Sequence, residues 1–260
     1  SAAHVMHEPG KQLVSSESCT WMREHWHGTL GQIKLEMDLF FLTGINHVYY
    51  HGSCYSAKDA PWPGWFFYAS TKADWRNSIW RDMPLLNDYI ARCQSVLQAG
   101  KPANDILLYW PIHDLWMDES GLTKNLTVHS TGWMEGTSLG DMANLLDQSG
   151  FTYDFVSDKM LQEIEWKDGE YVAPGGEYKA IVIPKCSYMP VNTIQRLADF
   201  SNQQATIVFE NTLPSDVPGF GQWNERREEF SQAKKRLNDA IVASVVLQSL
   251  QTAGIEREIM

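Results

Sequence analysis

The chain has 260 residues, room for one large or two ordinary domains. Apolar residues make up 43% and charged residues 20%, which excludes a disordered chain. The formal net charge of -11 argues against nucleic acid and anionic membrane surfaces as partners, and suits a neutral or cationic ligand or simple solubility.

No run of about 18 apolar residues marks a membrane span. Ser1 to Gly10 is polar and lacks the apolar core of a signal peptide. It runs straight into a strand-like segment, so the chain reads as a fragment that starts in mid-fold. Cys19, Cys54, Cys93 and Cys186 show no C-x-x-C spacing, which argues against a zinc knuckle or thioredoxin-type motif. Many of the 11 tryptophans lie in loop-like sequence with Gly and Pro, where they are available for ligand stacking; core filling accounts for the others.

Leu13 to Ser16 reads as a strand that delivers one acid, Glu17. Trp21, Arg23, a second acid Glu24, His25 and Trp26 follow at once. A carboxylate can act as acid, base or nucleophile, and aromatic faces pack on the apolar faces of sugar rings. A strand ending in a carboxylate among aromatics therefore suits sugar cleavage. The competing reading has Glu17 opening a surface loop and pairing with Lys11 or Arg23.

Thr29 is placed as an N-cap, and Leu30 to Leu42 forms an amphipathic helix stopped by Gly44. Ile45 to Gly52 is a second strand. Strand, helix and strand with short connections predict a parallel pair in an α/β sheet. Ligands of such sheets sit at the carboxyl ends of strands, where Glu17 and His51 would face one crevice. Alternatively, His51 hydrogen-bonds a loop carbonyl. Ser53 to Pro84 is long and irregular, with Trp62, Trp65, Phe66, Phe67, Tyr68, Trp75 and Trp80. Such a loop is a platform over a cleft or a plug over a barrel end. Pro84 to Gln98 is a helix, stopped by Gly100.

Lys101 to Asn104 reads as a domain junction, dividing the chain into residues 1–102 and 103–260. Strands are predicted over Asp105–Trp110, Tyr153–Val156, Ala180–Ile183 and Ala205–Glu210. Helices are predicted over Ser138–Ser149, Asp158–Ile164 and Val191–Gln203, and Ala233–Ala253 reads as mainly helical. Pro111 to Gly136 reads as a loop. The alternation predicts a doubly wound open α/β sheet, without a nucleotide-binding glycine motif. Cys186 follows a strand, where a nucleophile elbow can sit, but no G-x-C-x-G surrounds it, which favours a buried structural cysteine. Asp114, Asp118 and Glu119 cluster as oxygen ligands would, though without EF-hand spacing, and a solvated acidic loop explains them as well. Asn125-Leu126-Thr127 matches the glycosylation acceptor pattern.

Glu17-Ser18-Cys19-Thr20-Trp21 with Glu24-His25-Trp26, His51-Gly52, Pro63 to Ser70, Asn77, Trp80 and the helix Tyr89 to Gly100 together resemble glycoside hydrolase family 106, the α-L-rhamnosidases. The resemblance implies that residues 1–102 are the last two strands and helices of a (β/α)8 TIM barrel whose first six strands lie upstream. It implies that residues 103–260 are a class I glutamine-amidotransferase-like accessory domain, as in the family 42 β-galactosidases. It implies an inverting two-carboxylate hydrolysis of terminal α-L-rhamnosyl linkages, calcium as cofactor, and a secreted or periplasmic parent protein. The candidate catalytic residues are Glu17 and Glu24, with Glu17 also a candidate calcium ligand. The candidate sugar contacts are Trp21, His51, Trp65, Asn77 and Trp80. Inversion needs two carboxylates about 6.5–9.5 Å apart, and the partner of Glu17 is expected in the upstream part, so this piece alone is expected to be inactive. The alternatives are a β-galactosidase-like enzyme and a non-catalytic carbohydrate-binding or assembly module.

Overall fold

The computed structural model describes residues 2–6, 12–22, 25–127 and 132–257. In chain order the elements are α1 (Ala2–Val5), β1 (Ser15–Ser18), α2 (Leu30–Leu42), β2 (His47–Tyr50), α3 (Met83–Ala99), β3 (Ile106–Tyr109) and α4 (Ile112–Met117). They continue with α5 (Ser138–Gln148), β4 (Tyr153–Val156), α6 (Asp158–Gln162), β5 (Glu165–Lys167), β6 (Glu170–Val172), β7 (Glu177–Tyr178) and β8 (Ala180–Ile183). The last are α7 (Val191–Ser201), β9 (Thr206–Glu210), α8 (Trp223–Lys234), β10 (Ile241–Ala243) and α9 (Val246–Thr252). The chain divides into two compact units between Pro102 and Ala103. The N-terminal α1 belongs to the second unit, where Val5 is buried, so that unit is not confined to residues beyond the junction.

In the first unit β1 and β2 pair in parallel, with Ser15 opposite His47 and Glu17 opposite Tyr49. The strand begins later than Leu13, because Val14 is occupied just before it: its carbonyl accepts from Asn46 and His47 N–H, and its N–H donates to the Asn46 side chain. Glu17 therefore lies within the strand and not after it. Thr29 caps α2 in a reciprocal box: its hydroxyl accepts from Gln32 N–H at 3.2 Å, and the Gln32 amide oxygen accepts from Thr29 N–H at 3.0 Å. Gly44, at φ +86°, follows the helix end. Ile33 and Met37 of α2 and Met83, Leu86 and Ile90 of α3 pack with Cys19, Val48 and Tyr50. The helices thus cover one face of the pair. Side chains alternate along a strand, so Glu17 and its neighbour Tyr49 stand on the other face, and both are exposed.

The second unit holds a five-stranded parallel sheet in the spatial order β4-β3-β8-β9-β10. Numbered along the chain this is 2-1-3-4-5, one of the two common doubly wound orders. Leu107, Tyr109, Ile181, Ile183, Ile207 and Phe209 face α6, α7 and α8. Ile106, Leu108, Ala180, Val182 and Val208 face α5 and α9. Helices on both faces explain the unbroken apolar runs of β3 and β8. A small antiparallel sheet, β5-β6-β7, stands beside it.

Two sequence expectations are corrected here. Pro111 to Gly136 is not wholly a loop, since α4 lies in it. Residues 233–253 are not mainly helical: α8 ends at Lys234, and β10 adds a fifth strand before α9.

Candidate active site

Glu17 and His51 come together. The Glu17 carboxylate lies 3.9 Å from His51 Nε2 and accepts a hydrogen bond from the Thr20 hydroxyl at 3.1 Å. Parallel pairing produces this approach: His51 N–H donates to Ser18 carbonyl at 2.7 Å, continuing the ladder one residue past β2. His51 then points to the same face as Glu17. Its ring packs edge-on against Phe67, with centroids 5.0 Å apart. Its Nδ1 is buried and has no partner among the described residues. The Glu17 carboxylate is 64% exposed and stays open to a ligand beside His51. Glu24, the second candidate acid, lies outside the described residues, as do Lys11 and Arg23.

The loop from β1 to α2 is fastened by Glu36 of α2, whose carboxylate accepts from Cys19 N–H at 2.6 Å and from the Trp21 indole N–H. Trp21 is thereby a fixed wall. Cys19, at φ +64°, sends the chain sharply off the strand.

The segment after β2 is irregular, as expected, but it is tightly bonded. The Ser70 hydroxyl donates to Gly52 carbonyl at 2.6 Å and accepts from Gly52 and Lys72 N–H. Asn77 is 4% exposed, and its amide nitrogen donates to both Thr71 and Lys72 carbonyls at 3.1 Å. It holds the turn that carries Thr71 and does not present itself to a ligand. Trp65 and Trp80 are exposed, and Trp65 packs edge-on with Tyr55 at 6.1 Å.

Sequence reasoning passed over Lys72. Its side chain is wholly buried, its Nζ donates to Phe67 carbonyl at 2.7 Å, and it lies 5.0–5.5 Å from the ring centroids of Phe66, Trp26 and Phe67. Burial pulls its pKa below the ordinary lysine value, opposed by Cys54 and Asp74. A lysine among so many aromatics was the available signal.

In the second unit Asp158 accepts from Tyr109 hydroxyl at 2.8 Å and Thr193 hydroxyl at 2.6 Å, with His113 Nε2 at 3.1 Å. Cys186 is buried, and burial with the Asp114 and Asp158 carboxylates pushes its pKa well above the ordinary thiol value. Burial and a raised pKa suit a packing role for this thiol.

Among the described residues no three His, Cys, Asp or Glu side chains converge on a metal position. Asp114 spends both carboxylate oxygens on Ser187 and Tyr188 N–H, and Asp118 bonds Ser120. The calcium that the resemblance implies thus finds no ligand set among these residues. Glu17 offers a single carboxylate.

Known proteins resemble this chain along most of its length. A putative beta-glucuronidase of Formosa agariphila is 25% identical over 240 residues, covering 90% of this chain and 18% of that protein. The structure of a rhamnosidase from Novosphingobium sp. PP1Y superposes with a TM-score of 0.64 at 21% identity, covering 98% of this chain and 24% of the other. An apo exo-carrageenase GH42 from Bacteroides ovatus gives 0.50 at 14% identity, covering 90% of this chain and 28% of the other. The chain therefore spans about a fifth to a quarter of the length of these relatives. The family model for glycoside hydrolase 106, described as alpha-L-rhamnosidase, matches residues 1–256, and the chain belongs to that family.

Proposed function

We propose that the chain is part of a glycoside hydrolase that releases terminal α-L-rhamnosyl groups with inversion, and that Glu17 is one of its two working carboxylates. The observation that carries the reading is the open Glu17 carboxylate beside His51 on adjacent parallel strands. Inversion divides the work between an acid that protonates the leaving oxygen and a base that activates water on the opposite face. One carboxylate within this chain supplies half of that pair. The Thr20 hydroxyl and the His51 ring orient Glu17, and Phe67 fixes the ring. No step is derived through calcium.

The two-stranded parallel pair is read as the end of a (β/α)8 barrel. Parallel strands are ordinarily covered on both faces, and here the face bearing Glu17 is the uncovered one, as a barrel interior would be. The second unit is read as an amidotransferase-like accessory domain without chemistry, which its strand order and the buried Cys186 support.

A different glycone is the second reading, favoured by the relative named a beta-glucuronidase. The full-length protein, assayed on aryl α-L-rhamnoside, aryl β-D-glucuronide and aryl β-D-galactoside, separates them. Proton NMR of the first-formed sugar then reports its anomer. Release of β-L-rhamnose first supports the proposal. Turnover of another glycoside alone refutes the rhamnosyl assignment, and first release of the retained anomer refutes inversion.

A further inference from the structure

Lys72 and Cys54 meet at the base of the aromatic segment that follows β2. The Lys72 Nζ lies 3.9 Å from the Cys54 Sγ. The lysine side chain is wholly buried, and its other acceptor among the described residues is the Phe67 carbonyl at 2.7 Å. A buried ammonium ordinarily faces a carboxylate; here a thiol stands in that place. Cys54 is half-buried, and its thiol donates to the Trp65 carbonyl at 2.8 Å. A cysteine exposed to this degree is within reach of a small oxidant, whereas the amine beside it is shielded from water.

The backbone holds the two side chains together. Ala73 N–H donates to Gly52 carbonyl at 3.0 Å, and the Ser70 hydroxyl bonds both Gly52 and Lys72 N–H. Lys72 has φ of 54°, a strained value sustained only where the surroundings over-determine the backbone. The rings of Phe66, Trp26 and Phe67, at 5.0–5.5 Å, confine its Nζ. Burial lowers the Lys72 pKa, which leaves more neutral amine than an exposed lysine has. All four cysteines are free, so no disulfide already fastens this segment.

We propose that Cys54 and Lys72 are the two ends of a reversible covalent redox bridge, Sγ–O–Nζ, formed under hydrogen peroxide. One peroxide oxidises the Cys54 thiol to the sulfenic acid and is reduced to water. A second peroxide oxidises the pair: the sulfenic O–H and one amine N–H break, the N–O bond forms, and the peroxide leaves as two waters. Each step removes two electrons, the first pair from sulfur and the second from nitrogen. Two equivalents of a dithiol return all four and release thiol, amine and one water. The neighbouring amine thus traps the sulfenic acid before it reaches the irreversible sulfinic stage. Lys72 loses its charge, and the link ties residue 54 to residue 72 across the base of the segment that sets Phe67 on His51. The bridge does not depend on the hydrolase reading.

The test is peptide mapping of the full-length protein after hydrogen peroxide, digested with trypsin without reductant. Cleavage after Lys58 separates Cys54 from Lys72, so unlinked protein gives them in two peptides. The bridged protein is expected to give one joined peptide, heavier than the sum of its halves by one oxygen less two hydrogens. Dithiothreitol should part the halves again, and Cys54→Ser and Lys72→Met should each abolish the joined peptide. Limited proteolysis of the folded protein should show slower cutting after the exposed Lys58 in the oxidised form. A Cys54 that gains two oxygens while Lys72 stays free overturns the inference, as does a disulfide from Cys54 to another cysteine. So does a joined peptide that survives dithiothreitol, or an unchanged Cys54 in protein whose exposed Met22 is already oxidised. The wild-type map decides the matter even if a variant fails to fold.

Discussion

Lys72 Nζ stands 5.4 Å from the centre of the Trp26 ring, and both residues hold left-handed backbone, at φ 54° and 62°. The ammonium is buried without a carboxylate at salt-bridge distance among the described residues; its partners are Phe67 carbonyl, the Cys54 thiol at 3.9 Å and aromatic faces. Replacing a buried charge by an apolar group of similar shape is often neutral for stability. A lysine retained in such a place points to a positioning role.

Lys72→Met should therefore change the melting temperature of the full-length protein by less than about 3 °C, since the lost hydrogen bond and the relieved desolvation oppose each other. It should raise KM, because Phe67, which packs on His51, loses its support. A fall of more than about 10 °C with KM unchanged would mark Lys72 as purely structural.

Thr29→Ala removes half of the capping box of α2. The expected loss is about 1 kcal/mol, read as a lower denaturant midpoint at constant slope. The same helix carries Glu36, which fastens Cys19 and Trp21, so the loop beyond Glu17 should become more accessible to protease. An unchanged midpoint would show that α2 is held by its packing alone.

In the second unit Asp154 and Asp158 report acid sensitivity. Burial alone would raise both pKa values. Polar partners outweigh it and hold both below the ordinary aspartate range: the His4 hydrogen bond and charge for Asp154, and hydrogen bonds from His113, Thr193 and Tyr109 for Asp158. A depressed carboxyl pKa stabilises the fold above the unfolded value, about 3.9, and that contribution is lost as pH falls through the folded value. Thermal melts should therefore show steep destabilisation below about pH 4, shallower in Asp158→Asn. An identical slope in that variant would refute the assignment.

How much of this was legible before the structure depends on periodicity. Leu30 to Leu42 and its Thr29 cap were readable residue for residue, because a threonine cap and a glycine stop bracket an apolar stripe. The parallel pair followed from the short connections, and β3, β4 and β8 from unbroken or alternating apolar runs. The β5–β6 hairpin went unread although Asp168-Gly169, at φ 54° and 88°, is a typical two-residue turn; its strands are only three residues long, too short for an alternation to show. The α8 helix hid because it buries little beyond Phe230 and Ala233, leaving no stripe to see. At the site, Glu17 and His51 were legible from strand ends. The turn at Thr71 and Lys72 was not, since it is closed by Asn77, a long-loop arrangement without a local period.

The central claim is that Glu17 does chemistry. Its most direct test is kcat of full-length Glu17→Gln on aryl α-L-rhamnoside. The isosteric amide keeps the Thr20 contact and removes the ionisable group. The account predicts a fall in kcat of about 10²–10⁴-fold with the fold unaltered by circular dichroism. Undiminished turnover by Glu17→Gln would contradict it.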